Sequence, residues 1–173
     1  MKITKLFVLA LFFFSTSMVA QEIASSTIGL RLGDSDGFGA EISYQKSIGR
    51  YSRIELNAGY RDSREYDGFK GVLLYQNVFN ISGGLNWYYG FGGGAGTAKF
   101  EPRPNADNPT IIEQPEGGLF VLGAGDIGIE FNFNDLPLLI SLDIRPEIGI
   151  VGYGSFDDRF DFDIGLGIRY QFL

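Results

Sequence analysis

Apolar residues recur at every second position in eight stretches of the chain: 27–33, 38–45, 53–61, 69–79, 84–96, 119–131, 139–149 and 160–172. Period two marks a strand whose two faces meet different surroundings. No stretch carries a helical period of apolar positions, so eight strands and an all-β fold are predicted. The connections 46–52, 80–83 and 132–137 are short, whereas the longest, 97–118, holds four of the six prolines. Short turns at one end and longer loops at the other suit an antiparallel up-and-down arrangement with both termini at the short-turn end.

The charges decide what the two faces meet. One parity reads Ile28, Leu30, Leu32, Phe38, Ile42, Tyr44, Ile54, Leu56, Tyr60, then Leu85, Trp87, Tyr89, Phe91, Ile127, Ile129, Phe131, Ile140, Leu142 and Ile144, and closes with alternate residues of 160–172, none of them charged. The opposite parity holds fourteen charges: Arg31, Glu41, Arg53, Glu55, Arg61, Lys70, Asp126, Glu130, Asp143, Arg145, Glu147, Asp161, Asp163 and Arg169. Lipid outside and a packed polar lumen inside require this division.

A soluble barrel or sandwich, apolar inside and polar outside, would show the same alternation. Glycine separates the two. The charged parity also carries Gly29, Gly33, Gly39, Gly59, Gly84, Gly90, Gly92, Gly94, Gly128, Gly149, Gly165 and Gly167. Such residues weaken a solvated strand, but inside a narrow barrel they make room for neighbouring Arg and Glu side chains. The aromatics agree, with Tyr44, Phe79, Trp87, Phe131 and Tyr170 expected near the short-turn rim and Phe38, Tyr60 and Phe160 near the other.

Eight strands leave a lumen just wide enough for side chains. Arg31, Glu41, Arg53, Glu55, Asp126, Glu130, Asp143, Arg145, Glu147, Asp163 and Arg169 are therefore expected to form a structural salt-bridge network. Two irregularities stand out. Pro146 cannot donate to a ladder, so a bulge is expected there. In the fourth strand Asn77 falls on the lipid parity, while Val72, Leu74 and Val78 share a parity with Lys70 and Gln76.

Composition removes most chemistry. With no Cys and no His among 173 residues, disulfides, thiolate nucleophiles, imidazole bases and Cys/His zinc sites are excluded. Residues 1–20 begin with Lys2 and Lys5, continue through nine apolar residues at 6–14 and end at Ala20. That is the layout of a cleavable export signal, leaving 21–173 as one barrel domain. Without the signal, 12 basic and 21 acidic residues give a net charge of −9, which argues against nucleic acid as a partner.

The motif GAGDIG at 123–128 lacks the following helix that a dinucleotide site needs. Asp34 and Asp36 begin a calcium-loop pattern that fails at Phe38 and Gln45, so a hairpin turn is expected. Asp157, Asp158, Asp161 and Asp163 read as solvated charge at the last loop.

The final fourteen residues, FDFDIGLGIRYQFL, carry the most specific signal. With the pattern of the whole chain, they resemble the small eight-stranded outer-membrane β-barrel proteins of the OmpA/OmpX type, within the broad porin-like group. The resemblance implies an eight-stranded antiparallel up-and-down transmembrane β-barrel in the outer membrane. It also implies outer-membrane lipid and lipopolysaccharide as surroundings, with periplasmic chaperones and the barrel assembly machinery as partners during biogenesis. Ile164, Leu166, Ile168, Tyr170 and Phe172 match the alternating final strand that this machinery reads, although Leu173 follows the last aromatic where relatives end on one. Enzymes of this fold class rely on a catalytic His, so a non-enzymatic monomer without cofactor is expected. Its role would be structural, or a surface interaction carried by the loops. The alternatives are a small passive channel and a soluble periplasmic ligand-binding barrel.

Overall fold

The computed structural model describes residues 23–34, 38–62, 66–105, 108, 110, 112–113, 115–133, 135–152 and 159–172. The proposed signal at 1–20, the Asp36 turn, Asp157, Asp158 and Leu173 lie outside them. The strands are β1 (Ser26–Asp34), β2 (Phe38–Ser47), β3 (Ser52–Asp62), β4 (Tyr66–Ser82), β5 (Leu85–Phe100), β6 (Arg103–Pro104), β7 (Ile112–Glu113), β8 (Gly118–Asn132), β9 (Leu138–Val151) and β10 (Phe160–Phe172). Eight of them close a barrel in the order β1-β10-β9-β8-β5-β4-β3-β2, and β6 pairs with β7 inside the long connection.

Every barrel neighbour is antiparallel, and β10 seals the wall by pairing along the whole of β1, from Ser26–Phe172 to Asp34–Ile164. Following the register around the wall from Phe160 through Ile148, Gly123, Gly93, Leu73, Leu56, Tyr44 and Ile28 returns to β10 at Tyr170, ten residues further on. A stagger of this kind belongs to strands tilted about 35–45° from the barrel axis. At that tilt, strands of about twelve residues cross the roughly 25 Å apolar band of an outer membrane.

Burial alternates residue by residue, and its sense is the reverse of a soluble core. Arg31, Glu55, Asp163 and Arg169 are each no more than 1% exposed, while Leu30, Leu56, Ile164 and Ile168 beside them are 52%, 49%, 51% and 47% exposed. Leaving such side chains uncovered is unfavourable in water and neutral in lipid. The aromatics cluster on the outer wall: Phe79 stacks on Trp87 at 4.8 Å near the short-turn rim, and Tyr60 meets Phe69 edge-on at 5.2 Å toward the loops.

Two expectations change. The long connection is 101–117 rather than 97–118, because alternation through Ala98 and Phe100 extends β5. The bulge expected at Pro146 is absent: β10 pairs straight through Phe162–Pro146, and on the β8 side the ladder only skips Gly125 and Asp126 before resuming in the same register. A missing donor has interrupted pairing without adding a residue to the strand. The register slips instead at Val121/Leu122, nearer the rim. In β4, Asn77 does face outward, where its Oδ1 accepts from Ser52 Oγ at 3.0 Å and from Tyr75 Oη at 3.4 Å. The GAGDIG motif lies wholly within β8, with no helix after it.

Candidate functional site in the barrel lumen

Strands β1, β2, β9 and β10 aim Arg31, Glu41, Asp143, Arg145, Glu147 and Asp163 into the loop-end half of the lumen, where they form one group. Arg31 stands at its centre. Its Nε donates to Asp143 Oδ1 at 2.9 Å, and its Nη1 donates to Asp163 Oδ2 at 2.9 Å and to Glu41 Oε2 at 3.4 Å. Arg145 Nη1 reaches the same Glu41 oxygen at 3.1 Å. Lys70, arriving from β4, donates to both Glu147 oxygens at 2.8 and 3.0 Å and lies 3.8 Å from Asp163. A guanidinium serves this role because its fork of donors can satisfy several carboxylates at once.

A second group lies nearer the short turns. Glu55 accepts from Arg169 Nη2 at 2.7 Å, Ser43 Oγ at 2.9 Å, Gln45 Nε2 at 3.1 Å and Gln76 Nε2 at 2.6 Å. Arg169 also donates to Ser43 and Ser141. Arg53 pairs with Glu130 at 2.7 Å, donates to Gln76 Oε1 at 2.6 Å and lies over the Tyr88 ring at 4.9 Å. Tyr88 Oη in turn donates to Asp143 at 3.4 Å, joining the two groups.

Glycine provides the space. A Cβ on Gly165 would overlap the Arg31 guanidinium, one on Gly167 would overlap Arg169 and Ser141, and one on Gly128 would lie 2.6 Å from the Tyr88 ring. Long side chains therefore fold flat over bare backbone, Arg31 and Tyr88 across the neighbouring strand and Arg169 along its own.

Two features were not anticipated from sequence. Lys70, Tyr88, Gln76, Ser43, Gln45 and Ser141 join the network, and their common signal is only that they share the charged parity. The lumen is also not charged throughout. Val72, Leu74, Ala98, Phe100, Phe120, Leu122 and Ala124 form a buried apolar cluster on β4, β5 and β8. A Cβ on Gly96 would meet the Phe120 ring and one on Gly94 the Val72 methyl, so this side is filled as closely as the charged side. The parity shared by Val72 and Leu74 with Lys70 was the available clue.

Among described residues less than a tenth exposed, seven carboxylates (Glu41, Glu55, Asp126, Glu130, Asp143, Glu147, Asp163) face five cations (Arg31, Arg53, Lys70, Arg145, Arg169). Among the described residues Asp126 forms no ion pair, and its Oδ2 accepts only from Gln76 Nε2. Asp126→Asn keeps that acceptor and removes a buried charge without a counter-ion. The substitution should leave denaturant stability within about 1 kcal/mol of wild type, whereas a loss of roughly 3 kcal/mol would mean that the carboxylate is paired.

Among the described residues, no group of three or more acidic side chains is arranged to hold a metal ion. The five apolar positions singled out in β10 all face outward: Ile164, Leu166, Ile168, Tyr170 and Phe172 are 43–52% exposed.

No family model and no curated protein matches the chain. Solved structures do. The N-terminal β-barrel domain of Pseudomonas aeruginosa OprF covers 88% of this chain and 100% of its own at 16% identity, with a TM-score of 0.64. Neisserial surface protein A covers 85% of this chain and 94% of its own at 11% identity, with a TM-score of 0.57. Ail, the attachment invasion locus protein of Yersinia pestis, covers 88% of this chain and 99% of its own at 19% identity, with a TM-score of 0.52. At these identities the likeness is one of fold: this chain has the closed eight-stranded barrel of the small outer-membrane proteins.

Proposed function

We propose that the chain is a non-enzymatic integral protein of the outer membrane, exported through its first twenty residues, with a structural or surface-interaction role carried by its loops. The observation that carries this reading is the inverted wall, with large apolar side chains outside and paired charges sealed inside. A soluble ligand-binding barrel would need the opposite arrangement. Outer-membrane lipid and lipopolysaccharide would surround the wall. Periplasmic chaperones and the assembly machinery would handle the chain through the outward row from Ile164 to Phe172. The longest connection, 101–117, offers Glu101, Glu113, Glu116 and Ile112, the last 63% exposed, as a surface for a partner.

The lumen argues against the passive-channel alternative. The Arg31 group and the Phe100–Phe120 cluster project into it from opposite walls, and carboxylates held by Arg31, Lys70, Arg145 and Arg169 are not free to hydrate a passing ion. Reconstituted into a planar lipid bilayer, the protein should give no discrete conductance steps. Reproducible steps from the wild-type protein would favour the channel.

A further inference from the structure

The wall is not equally tall all round. Strand β1 has 9 residues, whereas β8, β9 and β10 have 15, 14 and 13. At their shared seam β1 ends at Asp34 opposite Ile164, so β10 climbs on alone to Phe160. At a tilted rise of roughly 2.5 Å per residue, that adds about 10 Å of height. Phe160 and Phe162 face outward there at 53% and 55% exposure. On β9 and β8, the exposed Ile148, Ile150 and Leu119 carry the apolar wall as high.

The upper part of β10 also has an open backbone edge. Arg159 turns its carbonyl toward β9, where the Gly149 amide donates to it at 2.7 Å. By the alternation of a strand, Phe160 and Phe162 turn their backbone groups the other way, over the end of β1. Among the described residues no strand pairs with them there, and the Phe162 amide donates instead to the Asp161 carboxylate at 2.7 Å. Hydrocarbon does not tolerate a sheet edge of this kind. A flat bilayer reaching Phe160 and Ile150 would immerse both this edge and the acid that ends β1.

We propose that the bilayer surface dips beside the β1–β10 seam, so that headgroups and water come down to the level of Ile164, while acyl chains still cover Ile148, Ile150 and Leu119 on the far wall. The proposal rests on the lipid-embedded reading above. Tilting the barrel would not serve instead. Strand β1 begins with Ser26 opposite Phe172 at the short-turn rim, and raising its top would draw that end into the chains.

The chain has no cysteine, so Leu32→Cys and Ile144→Cys each carry a single nitroxide label. The stagger of the wall brings Leu32, opposite Leu166, and Ile144, opposite Ile164, to nearly the same height. Depth would be read from collisions with oxygen and with a nickel chelate in vesicles of dioleoylphosphatidylcholine. The label at 144 is expected near the bilayer centre and the label at 32 about 5–10 Å shallower, the height by which β1 falls short of β10. In thinner vesicles of dilauroylphosphatidylcholine the difference should close. Equal depths in the thicker bilayer, or a difference that persists unchanged in the thinner one, overturn the proposal. Shielding of the label at 32 from both quenchers overturns it too, assigning the seam to a second copy. Free access of the nickel chelate to the label at 144 would instead mean that the embedding itself is wrong.

Discussion

Arg31→Met is expected to lower the stability of the folded barrel by about 3–5 kcal/mol, read as a shift in the guanidinium midpoint of equilibrium unfolding in lipid vesicles. Arg31 is fully buried, and three carboxylates, those of Glu41, Asp143 and Asp163, converge on it. Methionine fills a similar volume but donates nothing, so those acids would be left in a space that water enters poorly. The cost comes chiefly from stranding the acids rather than from losing the attraction itself. The two origins can be told apart. Neutralising two of the stranded acids together, in Arg31→Met/Asp143→Asn/Asp163→Asn, should restore most of the loss, because neighbouring groups in one network are strongly non-additive. A loss confined to a few tenths of a kcal/mol for Arg31→Met would mean that the lumen is wet enough to solvate the carboxylates.

The second large effect lies on the other face. Leu142 sits near the middle of β9, points outward at 50% exposure and is flanked in the ladder by Leu166 and Ile129. Leu142→Arg should destabilise the reconstituted barrel by about 2–4 kcal/mol, the cost of a cation at the middle of a bilayer. The same substitution on a solvated wall would be close to neutral, within about 0.5 kcal/mol. The pair of variants therefore tests direction: an arginine must be kept at position 31 and must be kept out at position 142, one face apart.

Which face is which was legible in the sequence, because strand parity alone divides Arg31, Glu41 and Asp143 from Leu30, Ile42 and Leu142. The ends of β4 and β5 were less so. From Gly90 to Gly96 the inward positions of β5 are glycines and the outward ones include Gly93 and Ala95, so the contrast that defines a strand fades where the strand continues. The partners within the lumen were not legible at all. Arg31 meets Asp143 across 112 residues of sequence and Arg169 meets Glu55 across 114, and these meetings follow from the stagger of the closed wall. No local pattern encodes that stagger. The apolar cluster at Phe100 and Phe120 escaped for a related reason: an apolar residue on the lumen parity looks like a break in the pattern until the opposing glycines are known.

The central claim is that this chain folds as a closed barrel with its apolar face in lipid. Gel mobility of the protein from fractionated envelopes, run with and without boiling, tests it most directly. The account predicts recovery in the outer-membrane fraction and a compact, faster or slower band that converts on heating to the mobility of the unfolded 19.1 kDa chain, or slightly less once the signal is removed. Recovery as a soluble periplasmic protein, with one mobility before and after boiling, would contradict it.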